Sequence, residues 1–128
     1  MILSHPKLSP EEVSLLFSLV AVDSPSGQEE PAVSYLTSFL SARGWQAKID
    51  GAGNAIGEIG TGPTTLLFLG HIDTAPGSVP VRIDGDLLYG RGAVDAKGAL
   101  AAFVSAVERI KTQLKGKIIF VAAVGEET

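Results

Sequence analysis

The side chains best suited to metal chemistry lie at three points of the chain, each bordered by glycine. His71 and Asp73 follow the apolar run TTLLFLG, Asp95 lies in GRGAVDAKG, and Glu126 and Glu127 follow VAAVG. Imidazole and carboxylate ligands without thiolate suit Zn²⁺, Mn²⁺ or Co²⁺ in a hydrolytic site, and the chain has no cysteine. The three points together predict a metal-dependent hydrolytic centre.

His71 and Asp73 form the first of these points. In an extended chain, residues two apart point to the same side. A metal-bound histidine usually donates its other ring N–H to a carboxylate, which fixes the tautomer of the ring. The spacing therefore predicts His71 as a metal ligand with Asp73 as its orienting partner. A purely structural histidine at a strand end is the alternative.

Asp95, Glu126 and Glu127 each allow two interpretations when they are read alone. Asp95 precedes a predicted helix, so it is either the N-cap of that helix or a carboxylate that bridges two metal ions. The two glutamates are either solvated acids beyond a strand or a pair that diverges as the strand ends. In the second case one glutamate binds metal and the other takes a proton from metal-bound water.

The elements that must position these residues alternate between helix and strand. A capping box of Ser9 and Glu12 predicts a helix over 10–22, and a second one, of Ser26 and Glu29, predicts a helix that Gly44 ends. A third helix is predicted over 97–113. Strands are predicted near 45–49, 55–59, 64–70, 81–83, 87–89 and 117–124.

The fold class follows from the runs 64–70 and 117–124, which are apolar almost throughout and are predicted to be strands buried on both faces. Buried strands that alternate with helices predict an α/β fold with a parallel-rich mixed sheet and helices on both of its faces. In open α/β sheets, ligands bind at the carboxyl ends of the strands. Both apolar runs lead directly into the candidate metal-binding residues.

Composition and charge exclude several other classes of protein. The 128 residues are 45% hydrophobic and 19% charged with a net charge of −4, which predicts one folded domain. The acidic balance without a Lys/Arg cluster argues against nucleic-acid binding. No apolar run approaches the ~18 residues of a membrane span, and the N-terminus lacks a signal-peptide pattern, so the predicted location is the cytoplasm.

The motifs LGHIDTAP, GRGAVDAKGALAA and VGEET, in this order, resemble the M20 family of zinc-dependent aminoacylases, deacylases and carboxypeptidases. The resemblance covers essentially the whole chain. It implies a three-layer zinc-peptidase-like fold and two Zn²⁺ per complete site, with Co²⁺ or Mn²⁺ as possible substitutes. His71 would bind one zinc with Asp73 behind it, and Asp95 would bridge both ions. Glu126 would be the general base and Glu127 a ligand of the second zinc.

The chain also departs from the family pattern. The family completes its site with a further acidic ligand and a histidine beyond the Glu-Glu pair, and it inserts a lid or dimerisation domain. Residues 1–128 are therefore expected to be the N-terminal part of a catalytic domain whose parent enzyme is a homodimer through the absent lid. The isolated chain is expected to bind metal weakly without turnover. His5 is expected at the surface, and the family resemblance implies a cis peptide bond between Asp95 and Ala96.

The motif GRGAVDAKGALAAF has Ala96 at a position where many members carry methionine. In this the chain resembles the branch that deblocks lysine or ornithine in lysine or arginine biosynthesis. This implies hydrolysis of the amide bond of N-acetyl-lysine, N-acetyl-ornithine or carrier-protein-linked lysine. A dipeptidase or carboxypeptidase of the same family, a general aminoacylase and a succinyl-diaminopimelate desuccinylase remain alternatives. An alternative from a different class is a metal-free binding module of the same fold. The chain retains all five expected site residues, which argues against this alternative.

Overall fold

The computed structural model describes residues 7–128, in which three α-helices pack against a four-stranded sheet and a two-stranded hairpin stands beside it. His5 lies outside the described residues. Every predicted helix and strand is present, with ends shifted by a few residues. The helices are α1 (Pro10–Ala21), α2 (Glu30–Ala42) and α3 (Lys97–Ile110), the last followed by a 3₁₀ turn, Lys111–Gln113. The strands are β1 (Gln46–Ile49), β2 (Ala55–Gly60), β3 (Thr65–His71), β4 (Arg82–Asp84), β5 (Leu87–Tyr89) and β6 (Lys117–Ala123).

The sheet has the order β1-β2-β6-β3, so β6 is central. Only β3 and β6 are parallel, and the other two pairings are antiparallel. The predicted mixed α/β fold is confirmed, but the prediction of a parallel-rich sheet is wrong for the described residues, because two of the three pairings of this sheet are antiparallel. The parallel pair is the one that leads to the candidate site. His71 pairs with Ala123 at the end of that pair, so both strands end at the same edge.

The two predicted capping boxes have different outcomes. The first is confirmed: Glu12 N–H donates to Ser9 Oγ at 3.1 Å, and Ser9 N–H donates to Glu12 Oε1 at 2.7 Å. The second is wrong, because α2 begins after Glu29 without any side-chain cap bond. The side chains of Ser26 and Glu29 are hydrogen-bonded to other parts of the molecule instead.

The core lies between the helices and one face of the sheet. Phe120 on β6 is its centre, fully buried, with Trp45 edge-on at 6.3 Å between ring centroids and Phe68 stacked at 5.5 Å. Gly70 allows close approach of α3 to β3, since a Cβ at this position would lie 2.8 Å from Leu100 Cδ2. This contact brings the N-terminus of α3 close to the end of β3.

The opposite face of the sheet has no helix on it among residues 7–128. Leu67 and Leu69 on this face of β3 are 61% and 67% exposed, and Ile119 and Val121 on β6 are half-buried. The prediction that both apolar runs are buried on both faces is therefore wrong for the described chain. The second helix layer of the predicted three-layer fold is not found there either. The reason is that α1, α2 and α3 all pack on the Phe120 face.

Among the described residues, no helix combines the length and the apolar character that crossing a membrane requires.

An ion pair joins α1 to α3. Arg109 Nε and Nη2 donate to the two carboxylate oxygens of Glu12 at 2.8 and 2.7 Å. The hydrogen bonds from Arg109, together with the one from Ser9 N–H, lower the pKa of Glu12 from 4.5 to about 2. The pair therefore stabilises the packing of the two helices when Glu12 is ionised.

We expect Glu12→Gln to destabilise the chain by up to about 1 kcal/mol near neutral pH and by less in acid. A folded-state pKa below the ordinary value stabilises the protein above about pH 4.5, and this contribution is lost as the pH falls toward about 2. Glutamine keeps the capping bond but carries no charge for Arg109. Urea unfolding followed by the fluorescence of Trp45 measures the difference.

The control for this experiment is Glu30→Gln, which neutralises an exposed carboxylate. A gap between wild type and Glu12→Gln that persists unchanged at about pH 2 would contradict the assignment of the effect to the ion pair.

Candidate metal centre

The predicted metal-binding residues meet at the edge where β3 and β6 end. His71 is the last residue of β3, Asp95 lies just before α3, and Glu127 follows β6. One ligand atom from each of these three residues lies within 4.8 Å of the others. Glu126 Oε2 is 3.7 Å from His71 Nε2, so this carboxylate faces the same space. The structure thus brings together four of the five residues, and the fifth, Asp73, lies directly behind them.

The His71 ring is held on both sides. Its Nδ1 is 2.9 Å from the main-chain carbonyl oxygen of Asp73, and its Nε2 is 2.9 Å from Asp95 Oδ1. A carbonyl oxygen only accepts, so Nδ1 carries a proton and Nε2 is the atom directed at the acidic side chains. Asp73 contacts the His71 ring, but the closer contact comes from its main-chain oxygen, since its carboxylate Oδ1 lies 3.4 Å from Nδ1.

The charges around the ring shift its titration. Burial on its own would lower the pKa of His71. The hydrogen bonds to the Asp73 carbonyl and the Asp95 carboxylate, with the negative charge of Glu126 nearby, outweigh burial and raise this pKa.

The carboxylate of Asp73 is fully buried and accepts three hydrogen bonds. Ser26 Oγ donates to Oδ2 at 2.6 Å, Glu127 N–H donates to Oδ2 at 2.8 Å, and Glu126 N–H donates to Oδ1 at 3.1 Å. Burial would raise the pKa of Asp73, but these hydrogen bonds outweigh it and lower the pKa. The ionised carboxylate therefore anchors the turn that carries both glutamates, a role that the H-x-D spacing did not predict.

Asp95 does not cap helix α3, and its side chain faces His71 instead. The N-cap of α3 is Ala96, without a side-chain cap bond, so the N-cap alternative for Asp95 is wrong. The Asp95 side chain is 73% exposed and directed at His71. The peptide bond between Asp95 and Ala96 is cis, which confirms the prediction made from the family resemblance.

Lys97, two residues after Asp95, is buried at the start of α3. Its Nζ donates to the main-chain oxygen of Val22 at 2.5 Å. Burial lowers the pKa of Lys97 to about 8, although the charge of Asp23 opposes the shift. The lysine fastens the segment that carries Asp95 to the end of α1, and nothing in its sequence context indicated this role.

The acidic side chains at the edge repel one another. The pKa of Glu127 is raised by partial loss of hydration next to its neighbours, by the adjacent Asp95 carboxylate and by the charge of Glu126, with His71 acting in the opposite direction. Carboxylates that share a space are stabilised by a cation. One imidazole and three carboxylates without thiolate form a donor set that fits a divalent ion such as Zn²⁺.

Comparison with known proteins finds related sequences. Residues 67–128 match the profile of Peptidase family M20/M25/M40. The chain is 43% identical over 108 residues to the LysW-lysine hydrolase of Deinococcus radiodurans, with 84% of this chain and 30% of the relative covered. It is 45% identical over 118 residues to a putative LysW-lysine/LysW-ornithine hydrolase of Pyrococcus abyssi, with 91% of this chain and 34% of the relative covered. The chain spans about a third of the length of these curated relatives.

Solved structures share the fold. Human carnosine dipeptidase 1 superposes with a TM-score of 0.78 at 24% identity, over 92% of this chain and 32% of that protein. A dinuclear metal-binding peptidase of the M20 family from Bacillus subtilis superposes with a TM-score of 0.64 at 15% identity, over 91% of this chain and 35% of that protein. The segment 67–128, which matches peptidase family M20/M25/M40, contains every residue of the candidate centre from His71 to Glu127.

Proposed function

We propose that this chain supplies metal-binding residues to a hydrolase that cleaves the amide bond of a carrier-protein-linked lysine or ornithine. The observation that carries the proposal is the convergence of His71, Asp95 and Glu127 within 4.8 Å at one sheet edge. The names of the relatives in Deinococcus radiodurans and Pyrococcus abyssi support this substrate class over a dipeptide. Simple N-acetylated lysine or ornithine belongs to the same chemical class.

The residues of the centre suit two divalent ions, with Zn²⁺ as the proposed metal and Co²⁺ or Mn²⁺ as substitutes. In this proposal His71 and Asp95 hold one ion, and Asp95 and Glu127 hold the other. Such ions, when bound, lower the pKa of a water molecule and polarise the amide carbonyl of the substrate. Asp73 keeps the His71 ring in place through its carbonyl oxygen.

Glu126 is the residue proposed to move the proton. Its side chain is 58% exposed and faces the centre, with Oε2 at 3.7 Å from His71 Nε2. A carboxylate in this place accepts a proton from the attacking water and returns it to the leaving amine. Its main-chain N–H is fixed by Asp73, so the carboxylate starts from a defined position.

A cavity of about 330 Å³ opens beside Asp95 and Glu127, and the segment between β5 and α3 forms its wall. Tyr89 and Arg91 line it. The Arg91 guanidinium supplies a positive charge that suits the carboxylate of an amino-acid substrate. We propose this cavity as the entrance for the substrate.

We propose that residues 1–128 form the N-terminal part of a cytoplasmic catalytic domain, with the other metal ligands and a dimerising lid supplied by further polypeptide. The coverage of about a third of the relatives supports this arrangement.

We expect Glu126→Gln in the full-length enzyme to keep its metal and to lower kcat by roughly 10²–10⁴-fold, because only the proton carrier is lost. Metal content by inductively coupled plasma mass spectrometry and turnover of a carrier-linked lysine substrate measure the two effects. Glu127→Gln is the matched comparison, since the adjacent carboxylate is a proposed ligand and its loss should reduce metal content. Full turnover by Glu126→Gln would rule out the proposed base.

We expect the 128-residue chain to bind Co²⁺ and His71→Ala to bind it at least about tenfold more weakly, because an imidazole ligand is removed. Visible absorption of Co²⁺ during titration measures the affinity. Glu30→Ala, which removes an exposed acid outside the centre, should bind as the wild type does. No Co²⁺ binding by the wild type, or equal binding by His71→Ala, would favour the metal-free binding module.

A further inference from the structure

The turn that carries the two glutamates is held by an unusual set of acceptors. Strand β6 ends at Ala123, and the next four main-chain N–H groups all donate to side-chain oxygens from distant segments. We call these acceptors the amide frame. Val124 N–H donates to Asn54 Oδ1 at 2.9 Å, Gly125 N–H to Glu29 Oε2 at 3.0 Å, and Glu126 and Glu127 N–H to Asp73 at 3.1 and 2.8 Å.

Glu29 is the least expected member of the amide frame. It is only 7% exposed and occupies the N-cap position of α2, but it makes no cap bond there. Its carboxylate instead accepts from Gly125, whose φ of 76° is a conformation that favours glycine. A buried carboxylate that bonds to a backbone amide makes a stronger bond than a neutral acceptor.

Ser26 acts one step further from the turn. Its hydroxyl donates to Asp73 Oδ2 at 2.6 Å, the same oxygen that accepts from Glu127 N–H. The same segment is fixed along the end of β3, because Ser24 Oγ donates to the Ile72 carbonyl oxygen at 2.8 Å. The segment before α2 therefore contacts the chain beyond both β3 and β6.

Asn54 completes the amide frame from the other side of β6. Asp50 accepts from Asn54 Nδ2 at 3.0 Å and from Asn54 N–H at 2.9 Å. This arrangement fixes the side-chain amide so that its Oδ1 is directed at Val124 N–H.

We propose that Glu29 and Ser26 are positioning residues for the metal centre, which set the direction of the Glu126 and Glu127 side chains through the backbone of the turn. Neither side chain is a proposed ligand or proton carrier. Loss of the Glu29 carboxylate leaves the Gly125 N–H without its acceptor. Loss of the Ser26 hydroxyl removes one of the donors that fix Asp73 Oδ2, the acceptor of Glu127 N–H. In both cases the turn has other conformations open to it. The functional consequence rests on the proposed metal centre, whereas the structural one does not.

The structural part is tested by amide hydrogen exchange of the 128-residue chain, followed by NMR. Glu29→Ala should raise the exchange rate of the Gly125 amide by at least about tenfold, and Glu29→Gln should restore most of the protection because its amide oxygen accepts. Ser26→Ala should raise exchange at Glu126 and Glu127. The amide of Leu100, in α3, is the reference for general destabilisation.

Three results would overturn the inference. One is unchanged exchange at Gly125 in Glu29→Ala, and another is an equal rise at Leu100, which would indicate general loss of stability. The third is the same effect from Glu30→Ala, which removes the neighbouring exposed carboxylate.

The functional part is tested by Co²⁺ titration of the same variants. Glu29→Ala and Ser26→Ala should bind about 10–100-fold more weakly than wild type, as is typical for residues that support metal ligands. Wild-type affinity in both variants, with wild type binding Co²⁺, would overturn the positioning role. If wild type does not bind Co²⁺, the proposed metal centre fails, and the exchange rates still decide whether the amide frame holds the turn.

Discussion

The buried carboxylate of Asp73 joins three segments that are far apart in the chain, and the geometry of the centre depends on it. A charge without contact to water is stable only when hydrogen bonds replace its hydration. Ser26 and the backbone of Glu126 and Glu127 supply three such bonds at 2.6 to 3.1 Å. The main-chain oxygen of Asp73 meanwhile holds His71. One residue therefore fixes both the histidine and the turn that bears the glutamates.

This arrangement is possible because β3 and β6 are parallel neighbours. Their carboxyl ends coincide, with His71 opposite Ala123, so the chain leaves both strands at one edge. The third component, Asp95, reaches that edge because Gly70 lets α3 approach β3 closely. Sheet topology brings the segments together, and the hydrogen bonds of Asp73 set their final positions.

The sequence predicted the elements well where one local signal decides, as in the Ser9 capping box and the strand that ends at His71. The prediction failed where the same residue types suit both a local structure and a contact with a distant segment. Ser26 and Glu29 match a capping box. The Ser26 hydroxyl instead donates to Asp73, 47 positions away, and the Glu29 carboxylate accepts from Gly125, 96 positions away. Continuous apolar runs likewise predict burial on both faces, although Leu67 is exposed within residues 7–128. Spacing along the chain contains no information on such distant partners.

Burial separates the acidic residues of this edge into two kinds. Asp73 and Glu29 are buried and accept from backbone amides, so their charges are satisfied by the protein itself. Asp95, Glu126 and Glu127 are exposed, and their mutual repulsion contributes to the raised pKa of Glu127. A bound cation would offset that repulsion while the carboxylates stay ionised and in contact with solvent. The buried acids therefore build the turn, and the exposed acids are left available for an ion.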